Sequence, residues 1–304
     1  MSFTIAHLSD PHLGPLPAMR LRDLTAKRAM GYVNWKRGRE RLNDMAMLAR
    51  LVADLRAQAP EHVAMTGDVV NLALAREFES AALWLRTLGE PSDVSFTPGN
   101  HDAYVRDAMA GLARVFAPWT ASDAPPAPGA ARFPYLKTRG EIALIGLSSG
   151  VPTAPLLASG RLGRAQLSAL GRMLEETGAR GLARVILIHH PPLSRGPSPP
   201  LRGLDDAREF ERAIARYGAE AILHGHTHKR MTHRLPSGAT RVEGGHVPVI
   251  GAPSASAASE DPRQRAGYYL VTLDRKGPRW RVSLRERGLL AGSSEIGERE
   301  ALSI

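Results

Sequence analysis

Short runs of Val, Ile and Leu alternate with stretches of helical spacing up to about residue 225, and no other feature of this chain constrains its fold as much. The runs at 3–9, 62–66, 94–97, 142–148, 185–189 and 221–224 read as buried strands. Between them Leu42, Met45, Leu48, Leu51, Val52 and Leu55 recur every three or four residues, as do Leu167, Leu170, Met173 and Leu174. Residues 77–88 and 207–217 are further helix candidates. This alternation predicts an α/β architecture with helices covering the sheet faces. Beyond about residue 229 come strands without helices, at 268–273 and 280–284, which predicts closure by antiparallel strands. With 304 residues, 43% of them apolar, the chain can bury a substantial core. Residues 1–291 read as one domain, with segments that look inserted at 15–41, 117–131 and 191–203. Residues 292–304, rich in Gly, Ser and Glu, are expected to form a flexible tail.

Cysteine is absent, which excludes disulfides, iron–sulfur clusters, thiolate zinc sites and cysteine nucleophiles together. Any metal must therefore use oxygen and imidazole donors. The formal charge of +10 favours anionic partners without choosing among them. The opening MSFTIAHLSDPH does not read as a secretory leader, and nowhere do about 18 apolar residues run together. A cytoplasmic protein is expected, with peripheral contact to a membrane as an option.

The His, Asp and Asn residues fall where the strands end. Asp10 and His12 follow the first run as SDPH, and Asp68 follows the second as TGD. Asn100, His101 and Asp102 follow the third as PGNHD, His189 ends a later run as IHHPP, and His226 and His228 follow another as HGHTH. In open α/β sheets that edge is where ligands bind, because loops converge there while the strands fix their roots. Gly67, Gly99 and Gly225 accompany three of the clusters, as sharp turns require. Each element alone is weak, but five in order at strand ends are specific.

The series SDPH, GD, GNHD, H and GHTH, from residue 3 to about 229, resembles the calcineurin-like metallophosphoesterase superfamily. The resemblance implies a four-layer α-β-β-α sandwich with two mixed β-sheets. It also implies two divalent metal ions, one held by Asp10, His12 and His228, the other by Asn100, His189 and His226, with Asp68 bridging them. His101 would act on the leaving group as the catalytic histidine, and Asp102 would orient it. Imidazole, carboxylate and amide donors suit Mn, Fe or Zn better than Mg or Ca. Two such ions can activate water to hydroxide and clamp an in-line displacement at phosphorus, so no covalent intermediate is needed.

The IHHPP and HGHTH forms look most like small bacterial class III cyclic-nucleotide phosphodiesterases and related enzymes, which implies phosphodiester hydrolysis. Ala103, Tyr104 and Val105 depart from the acidic residues usual after GNHD in those enzymes. The alternative is pyrophosphate cleavage in a lipid-linked sugar nucleotide, as in UDP-diacylglucosamine hydrolases of the same superfamily. A non-catalytic scaffold ranks below both, since none of the seven ligand positions is missing. The expected partner is a small anionic phosphate ester. Nucleic acid is not expected, because the DNA-end nucleases of the superfamily carry extra domains, and oligomeric state is not legible.

Residues 20–41 hold eight Lys or Arg against two acidic residues, interleaved with Leu21, Leu24, Met30, Tyr32, Val33 and Trp35. Such a basic amphipathic segment suits an anionic bilayer or a cover over substrate, or else a solvated helix packed on the body. Because it begins close after His12, it is the best candidate for substrate selection. Arg195 and Arg202 form a second candidate wall. Among the other histidines, His7 reads as a core residue, His190 and His224 as loop supports, His62 and His233 as surface or strand-end residues, and His246 as part of a Gly-rich turn.

Overall fold

Alternate side chains of the central strands fall into different cores. A computed structural model describes residues 2–20, 23–124, 132–195 and 201–303. In chain order the strands are β1 (Ser2–Leu8), β2 (His62–Met65), β3 (Val94–Phe96), β4 (Tyr135–Arg139), β5 (Ile142–Gly146), β6 (Ala183–Leu187), β7 (Ala221–His224), β8 (Met231–Pro236), β9 (His246–Gly251), β10 (Gly267–Lys276), β11 (Arg279–Leu289) and β12 (Ile296–Ser303). The helices are α1 (Ala26–Asn34), α2 (Glu40–Leu42), α3 (Met45–Ala57), α4 (Ala75–Arg86), α5 (Met109–Val115), α6 (Gly163–Ala179) and α7 (Ala207–Tyr217). Strands β12-β11-β10-β1-β2-β3 form one sheet and β4-β5-β6-β7-β9-β8 the other.

Phe3 and Ile5 of β1 meet Leu144, Val185 and Val271 between the sheets. Ala6 and Leu8, on the opposite face of the same strand, pack with Leu48 and Leu51 of α3 and with Phe78 of α4. On the second sheet Ile142 and Leu144 face inward. Ile145 instead meets Leu170 and Leu174 of α6 and Phe210 of α7. One core between sheets and two between sheet and helices make the four-layer α-β-β-α sandwich, as expected.

Both sheets are mixed. β1, β2 and β3 run parallel, while β10 lies antiparallel on the other side of β1, with Ile5 opposite Val271. β5, β6, β7 and β9 are parallel, with β4 and β8 as antiparallel edges. Parallel neighbours place the C-terminal ends of β1, β2 and β3, and of β6 and β7, along one rim of the sandwich, which positions the site.

Two segments and the burial of one side chain differ from the sequence reading. The expected tail contains β12, which pairs antiparallel with β11 and sets Glu298 and Glu300 beside Arg285 and Arg230. A Gly, Ser and Glu-rich composition looked mobile, but the charges match a neighbouring basic strand. The supposed insertion at 117–131 begins as core, since Trp119 and Thr120 are buried; residues 125–131 lie outside the described residues. His62 takes the strand-end place read for it, at the start of β2, but is buried there, with Nε2 2.8 Å from Ser95 Oγ.

Candidate metal centre

Each candidate ligand sits two to four residues past a strand. Asp10 and His12 follow β1, and their loop continues the parallel pairing: Asp10 N–H donates to the Gly67 carbonyl at 3.0 Å and His12 N–H to the Asp68 carbonyl at 3.1 Å. The loop after β7 joins them, since Gly225 N–H donates to the His189 carbonyl at 3.0 Å and His226 N–H to Asp10 Oδ2 at 2.9 Å. Backbone bonds tie the loops within each sheet, and the Asp10 carboxylate joins the loops of the two sheets.

Eight non-glycine residues among those described have positive φ, and five are candidate ligands: Asp10, His12, Asp68, His226 and His228. A left-handed conformation at such residues costs on the order of 1–3 kcal/mol each and concentrates at functional sites. Here it turns the chain sharply enough to aim each short side chain back at the strand ends. The three glycines serve in two ways. Gly67 has φ +96° and supplies a turn, whereas a Cβ on Gly99 would strike the Asp68 carboxylate and the His189 ring, and one on Gly225 would strike Ser9 and Asp10.

The side chains gather in two groups around Asp68. His12 Nε2 lies 3.1 Å from His228 Nε2, and His228 Nε2 lies 3.2 Å from Asp10 Oδ1. In the second group Asn100 Oδ1 is 2.9 Å from His226 Nδ1 and 3.3 Å from His189 Nε2. Asp68 Oδ2 reaches both groups, 3.3 Å from His189 Nε2 and 3.9 Å from His12 Nε2. All seven candidates therefore converge. Ring nitrogens, carboxylate oxygens and an amide oxygen brought this close are the donors that divalent ions of the borderline kind take, so the set fits two such ions.

The charge states agree. Burial works against the Asp10 and Asp68 carboxylates, but the neighbouring His228 and His189 outweigh it and hold both below the usual carboxylate range. Burial likewise disfavours charge on His189, yet Asp68 raises it to about 9 without metal. Burial and the adjacent His189 push His226 down to about 3, which leaves a neutral, donor-ready ring. His189 Nδ1–H donates to the Thr66 carbonyl at 2.6 Å, so Nε2 is its ligand atom.

His101 stands at the edge of this cluster, its ring 4.8 Å from that of His12. Its orienting partner is not Asp102. Nδ1–H donates to the Asn71 carbonyl at 2.6 Å, and the Tyr104 ring stacks on the imidazole at 5.4 Å. Asp102 is fully buried and spends both oxygens on backbone N–H groups, those of Asp68 at 2.7 Å, Gly99 at 2.8 Å, Val69 at 3.0 Å and Val70 at 3.2 Å. It locks the loop after β2 to the loop after β3. Asn71 is in turn held by Glu77, which accepts from its N–H at 2.8 Å. A carbonyl contact leaves no mark on residue type, so Asn71 was not legible in the sequence. His190 bonds Ser149 Oγ at 2.8 Å and the Ala158 carbonyl at 3.2 Å, the loop support expected of it.

A cavity of about 260 Å³ opens beside Asn100 and His101. One wall is the basic segment, through Lys27, Met30, Gly31 and Trp35; the other is residues 155–158 with Arg202. Leu21, Arg22 and residues 196–200 lie outside the described residues. Tyr104 ties the first wall to the site, since its hydroxyl donates to the Lys27 carbonyl at 3.3 Å and Lys27 Nζ lies 4.5 Å above its ring.

A family model for calcineurin-like phosphoesterases matches residues 3–230, three quarters of the chain and every cluster above. The chain belongs to the calcineurin-like phosphoesterase family. Membership supports metal-dependent hydrolysis of a phosphoester. No curated protein matches the chain. A dimetal phosphatase from Danio rerio is similar in fold, with 14% identity, a TM-score of 0.61, and 99% of this chain and 98% of that one covered. The purple acid phosphatase PPD1 from yellow lupin, Lupinus luteus, has 10% identity and a TM-score of 0.57, covering 100% of this chain and 54% of that one. GAP50, the anchor in the inner membrane complex of Plasmodium, has 11% identity and a TM-score of 0.50, covering 98% and 88%. Among the described residues no helix is long and apolar enough to cross a membrane.

Proposed function

We propose that this phosphoesterase is a dinuclear metal-dependent enzyme that hydrolyses a phosphodiester, with Asp10, His12 and His228 holding one ion, Asn100, His189 and His226 the other, and Asp68 shared. The observation that carries this reading is the meeting of both donor groups at Asp68 beside a cavity that His101 lines. Those residues would hold two divalent ions of Mn, Fe or Zn type, which would supply polarisation of a phosphoryl group and water made nucleophilic near neutral pH.

The chain's own residues do the rest. The Nδ1–H bond to Asn71 fixes the His101 tautomer, so proton exchange with a leaving oxygen falls to Nε2. Tyr104 keeps the ring in plane, and Asp102 holds the two ligand-bearing loops at fixed separation. Lys27 lines the cavity, with its Nζ bonded to Thr153 at 2.8 Å, and adds positive charge toward an anionic substrate.

Turnover with manganese should be faster on bis(p-nitrophenyl) phosphate than on p-nitrophenyl phosphate; the opposite ranking would make the protein a monoesterase. A cyclic nucleotide is one diester to include in the panel. A second reading is pyrophosphate cleavage in a lipid-linked sugar nucleotide such as UDP-diacylglucosamine. It is favoured by Met30, Leu156 and Leu157 in the cavity wall, which suit an acyl chain better than a nucleoside.

A further inference from the structure

Helix α1 is amphipathic with its faces reversed. Lys27 and Arg28 point into the protein. Arg28 is only 5% exposed, donates from Nε to the Leu72 carbonyl at 3.0 Å and from Nη2 to the Ala73 carbonyl at 2.9 Å, and pairs with Asp107 at 3.0 Å. Gly31 packs against Leu72 and Tyr104 on the same inward side. Solvent instead meets Met30 at 37%, Tyr32 at 36% and Val33 at 44% exposure, with Leu24 just before the helix at 47%. A helix of a water-surrounded protein turns its apolar face to the core, so an outward apolar face calls for an apolar partner.

Across the cavity the opposite wall repeats the pattern. Leu156 is 79% exposed and holds φ +69°, and Leu201, whose carbonyl accepts from Ala158 N–H at 3.1 Å, is 60% exposed. A bulky residue in the left-handed region, set out in solvent, is costly twice over. Trp35, buried on the cavity side, keeps its indole N–H without a hydrogen-bond partner among the described residues. The same segments carry exposed Arg20, Lys36, Arg37 and Arg41, of which Lys36 pairs with Glu40, and exposed Arg202 beside Leu201. Exposed apolar side chains with cations close along the chain match the surface of an anionic bilayer, with acyl carbon beneath a layer of phosphate.

We propose that α1 and the 155–158 wall form a collar that docks the mouth of the site on an anionic lipid bilayer, so that the enzyme draws an amphiphilic phosphoester from that surface. Met30 and Leu156 belong to the collar and also line the cavity that His101 lines, so an extracted lipid enters the site past apolar side chains. This inference rests on the phosphoesterase reading of the site, and its test separates the two.

The manganese-loaded protein is sedimented with vesicles of phosphatidylglycerol and phosphatidylcholine, and with phosphatidylcholine alone. Binding to the anionic vesicles is expected, weakened about tenfold or more by high salt. A Val33→Asp/Leu201→Asp variant should lose that binding at least tenfold while cleaving bis(p-nitrophenyl) phosphate like the parent. If the parent cleaves the soluble diester but ignores anionic vesicles, the docking proposal is overturned and the hydrolase reading stands. Equal binding to neutral vesicles, unchanged binding by the variant, or a dimer that Val33→Asp dissolves without vesicle binding would each overturn docking as well. Vesicle binding by a protein with no phosphoesterase activity would uphold the surface and remove the reading on which the substrate class rests.

Discussion

On the cleft floor, five strand ends hold Asp, His and Asn side chains, three of those ends through residues in left-handed conformations, whereas on the rim α1 and residues 155–158 present methionine, valine and leucine to solvent. Floor positions are fixed many times over: Asp102 alone accepts four backbone N–H groups, and the first loop pairs with the second. The rim is tied down at fewer points, chiefly Arg28, Lys27 and Tyr104. A rigid floor suits chemistry that needs atoms placed within fractions of an ångström, and a separately anchored rim leaves substrate choice free to vary.

The sharpest test of the floor is His101→Gln, expected to lower kcat by about 10²–10⁴ while the metal content stays the same. Turnover like the parent's would remove His101 from the chemistry. Asp102→Ala comes next. Four buried donors lose their acceptor, so urea unfolding should show a loss of at least about 3 kcal/mol. A loss of activity with unchanged stability would return Asp102 to a direct role on His101.

Floor and rim were unequally legible in the sequence. Short motifs at strand ends announced the floor, because a ligand must be a particular residue type and must follow its strand closely. The roles inside those motifs were less visible: the Asp102 and Asn71 contacts run through backbone atoms, which any residue carries. At fold level the alternating core was readable, but the antiparallel seat of β10 beside β1, some 262 positions away in the chain, depends on long-range pairing that no local pattern encodes. β12 was missed for the same reason, since its charges make sense only beside β11. For the rim, the sequence supplied a basic amphipathic segment without its orientation. Arg28 gave no sign that it would be buried and Met30 exposed, because the partners of Arg28 are carbonyls near Leu72.

A third test concerns protons on the floor. Burial disfavours a charged His189, but Asp68 raises it to about 9 in the metal-free protein, so a cation must displace its proton at any lower pH. Apparent metal affinity, measured by competition with a chelator, should therefore rise about tenfold per pH unit up to about pH 9. A flat profile from neutrality to that point would mean that His189 carries no proton for the cation to displace. The smallest effect joins rim to floor. Tyr104→Leu removes the stack on His101 and the bond to Lys27, and should reduce kcat by about three- to tenfold, as expected for one aromatic contact. If it alters KM alone, Tyr104 belongs to the rim and does not position His101.

Metal stoichiometry tests the account most directly. Elemental analysis of the protein reconstituted with manganese should find two ions per chain, and Asp68→Ala, which removes the shared carboxylate, should bind fewer than two and lose turnover. One ion or none in the parent, or two ions and full turnover in Asp68→Ala, would contradict a dinuclear centre built around that residue.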